Sequence, residues 1–353
     1  MRETAKAILA SGTVIPAMPL VLKPDRTLDE KGQRRLIRYY LESGAGGLAA
    51  AVHTTQFAIR DHGLFEPVLS VAADEISRFE KRKGKTIVRI AGVCGPLPQA
   101  EAEAQIAANL GYDAVLLSPG GLLDDSEEQL LDRTKVISSQ IPVIGFYLQP
   151  SVGGRLLEFS YWQKLCEIDH VVAIKVAPFD RYLTLDVLRA VALSGRSQEI
   201  ALYTGNDDHI ILDLIGDFSF VQDGCVHKVR FAGGLLGHFA IWTSRAVSLF
   251  DQLMEERDQE AVPSRWLTLA SQITDCNSAV FDAAHRFKGC IAGIHEILRR
   301  QGLLDGIFTL DEHETLSPGQ SEELDRICRQ YPHLQDDDFV ARFLENEEME
   351  GHS

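Results

Sequence analysis

From residue 13 to about residue 250, short apolar runs rich in β-branched residues alternate with stretches whose apolar positions recur at helical spacing. That order is the signature of consecutive strand and helix units laid over a parallel sheet. The strand-like runs are Thr13–Val21, Gly47–Val52, Thr86–Val93, Ala114–Ser118, Pro142–Leu148, Val171–Ala177, Glu199–Gly205 and Lys228–Gly234, eight in all. Helical patterns fill the gaps at Asp29–Ser43, Glu66–Arg82, Leu97–Leu110, Ser126–Ser138, Phe159–Glu167 and Leu183–Leu193. Asp124 or Asp125 is expected to cap the helix that opens at Ser126, and Gly111 and Gly195 to close the helices before them. No Gly-rich phosphate loop follows the first run. The pattern therefore predicts an α/β protein with a closed (β/α)8 TIM barrel rather than an open doubly wound sheet.

Two segments depart from the alternation. Phe218–Val229 holds two short β-like runs around Gln222-Asp223-Gly224, which predicts a hairpin inserted before the eighth strand. Beyond residue 250 the strand signal stops, and Arg265–Asp275, Ala279–Gln301 and Ser321–Tyr331 read as helices. The expected organisation is a catalytic barrel over 1–250, a C-terminal helical extension over 251–345 and a frayed acidic tail over 346–353.

Composition narrows the partners. A formal charge of −16 with no long basic block opposes binding to nucleic acid, although a locally positive pocket can still take a small anion. The six cysteines are scattered without a C-x-x-C pair, as expected of reduced thiols in the cytoplasm. Met1–Ser11 carries charges at Arg2, Glu3 and Lys6 and lacks an apolar core for a secretory signal, and no apolar run is long enough to span a membrane. A soluble cytoplasmic protein with no membrane partner is expected.

Lys175 is the lysine set inside a continuous apolar strand pattern, Val171-Val172-Ala173-Ile174-Lys175-Val176-Ala177. Alternation gives it the face of Ala173 and Ala177, with Val172, Ile174 and Val176 on the other. The small face would turn inward and leave room around the amine. Burial there favours the neutral form, and a neutral amine can attack a carbonyl carbon. A lysine that snorkels to solvent or pairs with a carboxylate is the alternative.

Tyr147 shares a face with Gly145 on the fifth run and is a candidate proton carrier beside that amine, or else a core tyrosine with its hydroxyl on a carbonyl. His53-Thr54-Thr55 ends the second run with hydroxyls and amides suited to a carboxylate, or forms an ordinary polar loop. His53, His209 and His238 are each expected near the C-terminal mouth, where they could serve as acid or base. No H-x-H or H-x-x-x-H spacing accompanies them, so no metal is expected. Gly233-Gly234 allows close approach of a ligand or a tight turn.

These residues together resemble the dihydrodipicolinate synthase and N-acetylneuraminate lyase family of Schiff-base aldolases. The resemblance runs from about Ile15 to about Leu304 and rests on Thr54-Thr55, Tyr147 with Pro150 and Ser151, Ile174-Lys175, and Thr204-Gly205-Asn206-Asp207-Asp208. It implies a (β/α)8 barrel with a C-terminal helical extension. It also implies that Lys175 forms the imine, Tyr147 shuttles protons, Thr54 and Thr55 hold the carboxylate of a 2-oxo acid, and Gly205, Asp207 and Asp208 lie against substrate hydroxyls. A homo-oligomer, tetramer or dimer, is implied in the same way, and no cofactor.

The departures are specific. His53-Thr54-Thr55-Gln56-Phe57 replaces the family's Gly-Thr-Thr-Gly-Glu, no tyrosine stands in Ser118-Pro119-Gly120-Gly121-Leu122, and Val152 stands where the synthase has an arginine. The expected function is a class I lyase that makes or breaks a carbon-carbon bond of a 2-oxo acid such as pyruvate or a 2-keto-3-deoxy sugar acid, and not lysine biosynthesis. Dehydration or deamination through the same imine, and a non-catalytic binding barrel, are the alternatives.

Overall fold

The computed structural model describes residues 1–351. Its strands are β1 Val14–Pro16, β2 Gly47–Ala50, β3 Val88–Val93, β4 Ala114–Leu117, β5 Val143–Leu148, β6 Val171–Ala177, β7 Ala201–Thr204, β8 Phe218–Gln222, β9 Cys225–Val229 and β10 Phe231–Leu236. Eight form one sheet in the order β1-β10-β7-β6-β5-β4-β3-β2, while β8 and β9 pair only with each other. A parallel bridge between Ala17, just past β1, and Ala49 in β2 links the two end strands. The fold is the expected (β/α)8 barrel with further helices after it. Strands β3, β4 and β5 are buried at every position, as parallel strands covered on both faces must be.

Local chemistry sets the helix ends. Asp29 caps the helix Glu30–Glu42 through the Gly32 amide at 3.1 Å, and Asp180 caps Arg181–Leu193 through the Leu183 amide at 3.0 Å. Ser126, not Asp124 or Asp125, caps Glu127–Ser138, because its hydroxyl and the Gln129 side chain satisfy each other's amides in a capping box. Gly111 and Gly195 close their helices at φ 75° and 73°, as expected.

The hairpin is present, and its turn moves the last barrel strand. Asp223 and Gly224 take φ 51° and 78° between the paired residues Gln222 and Cys225, the geometry that a two-residue turn between right-twisted strands requires. Pairing continues to Phe218 with Val229, so Lys228 and Val229 belong to β9 and the barrel strand starts at Phe231 instead of Lys228.

The chain divides into two compact units. The first comprises residues 1–13 and 88–236. Within it the Arg2 guanidinium grips the buried Asp113 with hydrogen bonds of 2.9 and 2.7 Å, and the same carboxylate accepts the Arg89 amide at 3.0 Å. The second comprises residues 14–87 and the chain from Gly237 onward. There the Tyr39 hydroxyl donates to Asp336 at 2.7 Å and accepts the Thr243 amide at 2.8 Å.

The helix expected over Ala279–Gln301 is shorter, Cys290–Arg300, and the helix Arg265–Val280 runs further than expected. Asp282, Arg286 and Phe287 lie at positive φ between them, and the Asp282 carboxylate bonds the Gly289 amide, the Ser317 hydroxyl and the His285 ring. Side-chain bonds to local backbone compete with helix formation, and here they win. The acidic run from Glu345 continues the helix Asp337–Gly351, while residues 352–353 of the expected tail lie outside the described residues. All six cysteines are free, and among the described residues no helix is long and apolar enough to cross a membrane.

Candidate active site

Strand β6 pairs with β5 and β7 so that Phe146, Lys175 and Tyr203 stand side by side in register. Neighbouring residues in register present their side chains to the same face. Lys175 is 8% exposed, and its Nζ lies 4.5 Å from the centre of the Phe146 ring. Tyr203 fills the other flank and donates its hydroxyl to the Leu9 carbonyl at 2.9 Å. Ala177 and Gly205 lie along the stem. A Cβ at Gly205 would fall 2.7 Å from both Lys175 Cε and the Ala177 Cβ, so only hydrogen fits there.

Burial lowers the Lys175 amine from 10.5 to about 8, partly offset by the nearby negative charge of Asp207. A group with that pKa is about one-tenth neutral at pH 7, against well under one part in a thousand for an ordinary lysine. The neutral form of an amine is the one able to attack a carbonyl carbon, and burial favours that form here.

Tyr147 is not beside this amine. It pairs in register with Val176, on the opposite face of the sheet, and its ring lies 4.9 Å from Trp162 on the helix Phe159–Cys166. Its oxygen accepts the Leu157 amide at 3.3 Å and lies 3.4 Å from the Leu157 carbonyl. Gly145 faces the same way, since a Cβ there would meet Leu165 of that helix at 2.8 Å. The expectation failed because Phe146 and Tyr147 are adjacent aromatics on opposite faces, and the pairing register decides which one meets the lysine. Gly145 is the signal that points to the register: a missing side chain against bulky Leu165 marks the helix-facing side.

The turn after β7 is held by Thr204 and Asn206 of the quoted motif together with Asp213 and Arg181, which the sequence does not single out. The buried Asp213 carboxylate accepts the Thr204 hydroxyl at 2.6 Å and the Asn206 amide group at 3.0 Å, and pairs with Arg181 at 2.6 Å. Asn206 also accepts the Phe179 amide at 3.0 Å. These bonds fix the segment that carries Asp207 and Asp208. Asp207 is buried, and burial raises the carboxyl of Asp208 above its ordinary value. His209 is pushed down by burial and by the Arg181 charge. The network is visible only in the bonds that Thr204 and Asn206 donate to Asp213, nine and seven positions on, and no local motif encodes it.

Gly233 is not open to a ligand. A Cβ there would lie 2.3 Å from the Thr13 carbonyl oxygen and 2.9 Å from the Tyr203 ring, so protein already fills the space. Arg155 donates to the carbonyls of Leu122 and Asp125 at 2.8 and 2.6 Å, stapling the loops after β4 and β5.

In the second unit, His53-Thr54-Thr55 forms a single 3-10 turn after β2. The Thr54 hydroxyl donates to the Ala17 carbonyl at 2.7 Å and the Thr55 hydroxyl to that of Met18 at 2.6 Å. Both protons are thus committed to backbone, and holding a carboxylate requires these hydroxyls to turn. His53 is half-buried, its ring 5.9 Å from that of Phe57. His238 is buried and bonded through Nδ1 to the Asn277 carbonyl oxygen at 2.7 Å, and burial pushes it down to about 4. It is neutral near pH 7 and structural in its bonding. Among the described residues no group of three or more His, Cys, Asp or Glu side chains could hold a metal ion.

The profile of the dihydrodipicolinate synthetase family matches residues 10–216. N-acetylneuraminate lyase 2 of Escherichia coli O6:H1 is 21% identical over 319 residues, covering 90% of this chain and 92% of that protein. A 4-hydroxy-tetrahydrodipicolinate synthase of Moorella thermoacetica is 28% identical over 219 residues, 60% of this chain and 69% of that one. Among solved structures, the N-acetylneuraminate lyase from Fusobacterium nucleatum complexed with pyruvate superposes with a TM-score of 0.69 at 18% identity, covering 92% of this chain and 99% of the other. The dihydrodipicolinate synthase from Oceanobacillus iheyensis gives 0.73 at 16% identity, with 93% and 99% covered. At such identities these structures show the fold alone.

Proposed function

Because the chain belongs to the dihydrodipicolinate synthetase family, whose members are lyases and synthases, we propose that it is a lyase that forms a Schiff base between Lys175 and the carbonyl carbon of a 2-oxo acid. The observation that carries this reading is the buried Lys175 amine, held at about 8 beside Phe146 and Gly205. Once formed, the iminium withdraws electrons from C3 of the bound acid, so a bond to that carbon can be made or broken. Pyruvate and 2-keto-3-deoxy sugar acids are the proposed substrate class, with Asp207 and Asp208 toward hydroxyls. Loss of water or ammonia through the same imine begins identically. The reading needs no cofactor. It sets the protein in the cytoplasm as a homo-oligomer, which light scattering would test.

Synthesis of dihydrodipicolinate itself is not proposed. Val152 offers no positive charge, and Arg155 spends its Nη1 protons on two carbonyl oxygens.

One observation favours a second reading, a binding barrel without catalysis: the residue flanking the amine is Phe146, which carries no proton. Borohydride reduction in the presence of pyruvate, then of longer 2-oxo acids, separates the two. A mass adduct on the Lys175 peptide supports the lyase. No adduct with any of these acids supports the binding barrel.

A further inference from the structure

We propose that strand β8 of the inserted hairpin, Phe218–Gln222, pairs antiparallel with β8 of a second copy of this chain, about a twofold axis through Phe220. This surface is independent of the chemistry at Lys175 and gives the homo-oligomer a defined contact. Strands β8 and β9 form a sheet of their own, so no barrel strand covers either edge. Two strands alone are marginal in water and need a helix or further strands beside them. The helix Arg181–Leu193 packs on the hairpin, and the edges are left.

The free edge of β8 follows from the turn. A two-residue turn makes its flanking residues, Gln222 and Cys225, a hydrogen-bonded pair. Bonded pairs recur at every second step of an antiparallel ladder, here at Phe220 with His227 and Phe218 with Val229. Ser219 and Val221 therefore turn their N–H and C=O groups away from β9. Among the described residues no other backbone segment bonds them. Their side chains also face out, Val221 at 72% exposure beside its cross-strand neighbour Val226 at 61%. Phe218 and Phe220, on the opposite face, are half-buried.

This edge fits its own copy. In the twofold arrangement Ser219 stands opposite the partner's Val221, and Val221 opposite the partner's Ser219, both as bonded pairs that close about four backbone hydrogen bonds. Phe220 meets the partner's Phe220 as the non-bonded pair, where side chains come closest. On the outward face Val221 and the partner's Val221 become diagonal neighbours, flanked by Val226 and the partner's Val226.

Charge selects the occupant and the edge. At a formal charge of −16 two copies repel over most of their surface, but β8 carries no ionisable side chain. Just past its end Asp223 approaches the partner's Asp217, and in each copy that carboxylate is already held by Arg230 at 2.8 Å. The edge of β9 is guarded instead. It presents Lys228, the residue type that blunts strand edges, and a twofold there would set His227 against the partner's His227. The helix under the hairpin adds Tyr182 at 83% and Leu185 at 41% exposure, so four of the nine exposed large apolar side chains among the described residues lie on these neighbouring elements. They extend the contact toward the roughly 1,000 Å² that a specific interface buries.

The test is the native mass measured by sedimentation equilibrium at micromolar concentration. Val221→Pro removes an outward amide that takes no part in the ladder to β9, so the hairpin is kept while the edge is blocked. The native mass should fall to half that of wild type. Val221→Lys, which places a charge on the pairing edge at an exposed position, should do the same. Val226→Pro removes the equivalent outward amide of β9 and should leave the mass unchanged. Circular dichroism and the thermal midpoint report the fold of each variant, and if proline unfolds the hairpin, Val221→Lys decides.

A monomeric wild type would overturn the pairing and the homo-oligomer with it. Folded Val221 variants of wild-type mass, or a folded Val226→Pro whose mass halves as well, would overturn the pairing alone. Adduct formation at Lys175 is read separately by borohydride trapping, so the Schiff-base reading stands or falls on its own.

Discussion

The Lys175 amine and the Phe146 ring face each other at 4.5 Å across paired strands, while the neighbouring Tyr147 turns to Trp162 on the far side of the same sheet. A nonpolar ring over an amine keeps water away and so favours the uncharged nucleophile, but it supplies no proton. On the Schiff-base reading, the residue that shields the amine on β5 is therefore not the one that moves its protons.

One expectation concerns pH. With the amine at about 8, the neutral fraction rises tenfold for each pH unit below that value and levels off above it. Initial adduct formation with pyruvate, sampled by rapid borohydride quench from pH 6 to 9.5, should climb and then flatten near pH 8. A rate still rising at pH 9.5 would mean that the lysine keeps its ordinary basicity.

The same shift costs stability. The folded value lies below the unfolded one, so the unfolded chain binds the proton more tightly, and stability rises as pH rises from about 8 to 10.5. Below pH 8 the full penalty applies, on the order of 3 kcal/mol. Lys175→Met should accordingly raise the urea midpoint at pH 7, and its advantage should shrink by pH 10. An equal or lower midpoint at pH 7 would contradict the burial of a charged form.

Gly205→Ala would push a methyl to 2.7 Å from Lys175 Cε and the Ala177 Cβ. Overpacking of this kind costs about 1–3 kcal/mol, and here it also displaces the Lys175 amine. Adduct formation should fall by about tenfold or more with the fold retained by circular dichroism. A rate unchanged from wild type would show that the stem tolerates movement.

Asp213→Ala removes the acceptor shared by Thr204 and Asn206 and leaves Arg181 without its buried partner. Destabilisation of about 2–4 kcal/mol is expected in denaturant titration, since the donors left behind are buried. A loss under about 0.5 kcal/mol would place the strength of the turn elsewhere.

His238 gives an acid-side signature. Its folded value of about 4 lies below the ordinary 6.5, so stability is lost as pH falls from 6.5 toward 4, where the unfolded chain takes up the proton first. His238→Gln should flatten the fall in thermal midpoint across that window. An unaltered slope would assign acid sensitivity to other groups.

The barrel was legible because its information is periodic. Apolar runs, their spacing and the Asp-Gly turn of the hairpin are local features, and eight strands and the hairpin followed from them. Lys175 was legible for the same reason, as a charge inside an apolar strand flanked by alanines on its own face. Tyr147 was misread because register between β5 and β6 is a long-range property: one step along the strand exchanges the face toward the helices for the face toward the lysine. Asp213 and Arg181 escaped notice because their meaning lies in bonds across the fold, and Asn206 stood in the turn motif without its bond to Asp213 being visible. The break at Asp282 did likewise, since its partner Ser317 is distant in the chain.

The hydrogen-only space at Gly205 also bears on stereochemistry. With backbone pressed against one side of the lysine stem and the Phe146 ring against the other, the chain end has a narrow slot in which to swing. An imine grown from it would inherit that orientation, so the handedness of any new carbon centre would be biased by the scaffold before a single group of the incoming partner is recognised.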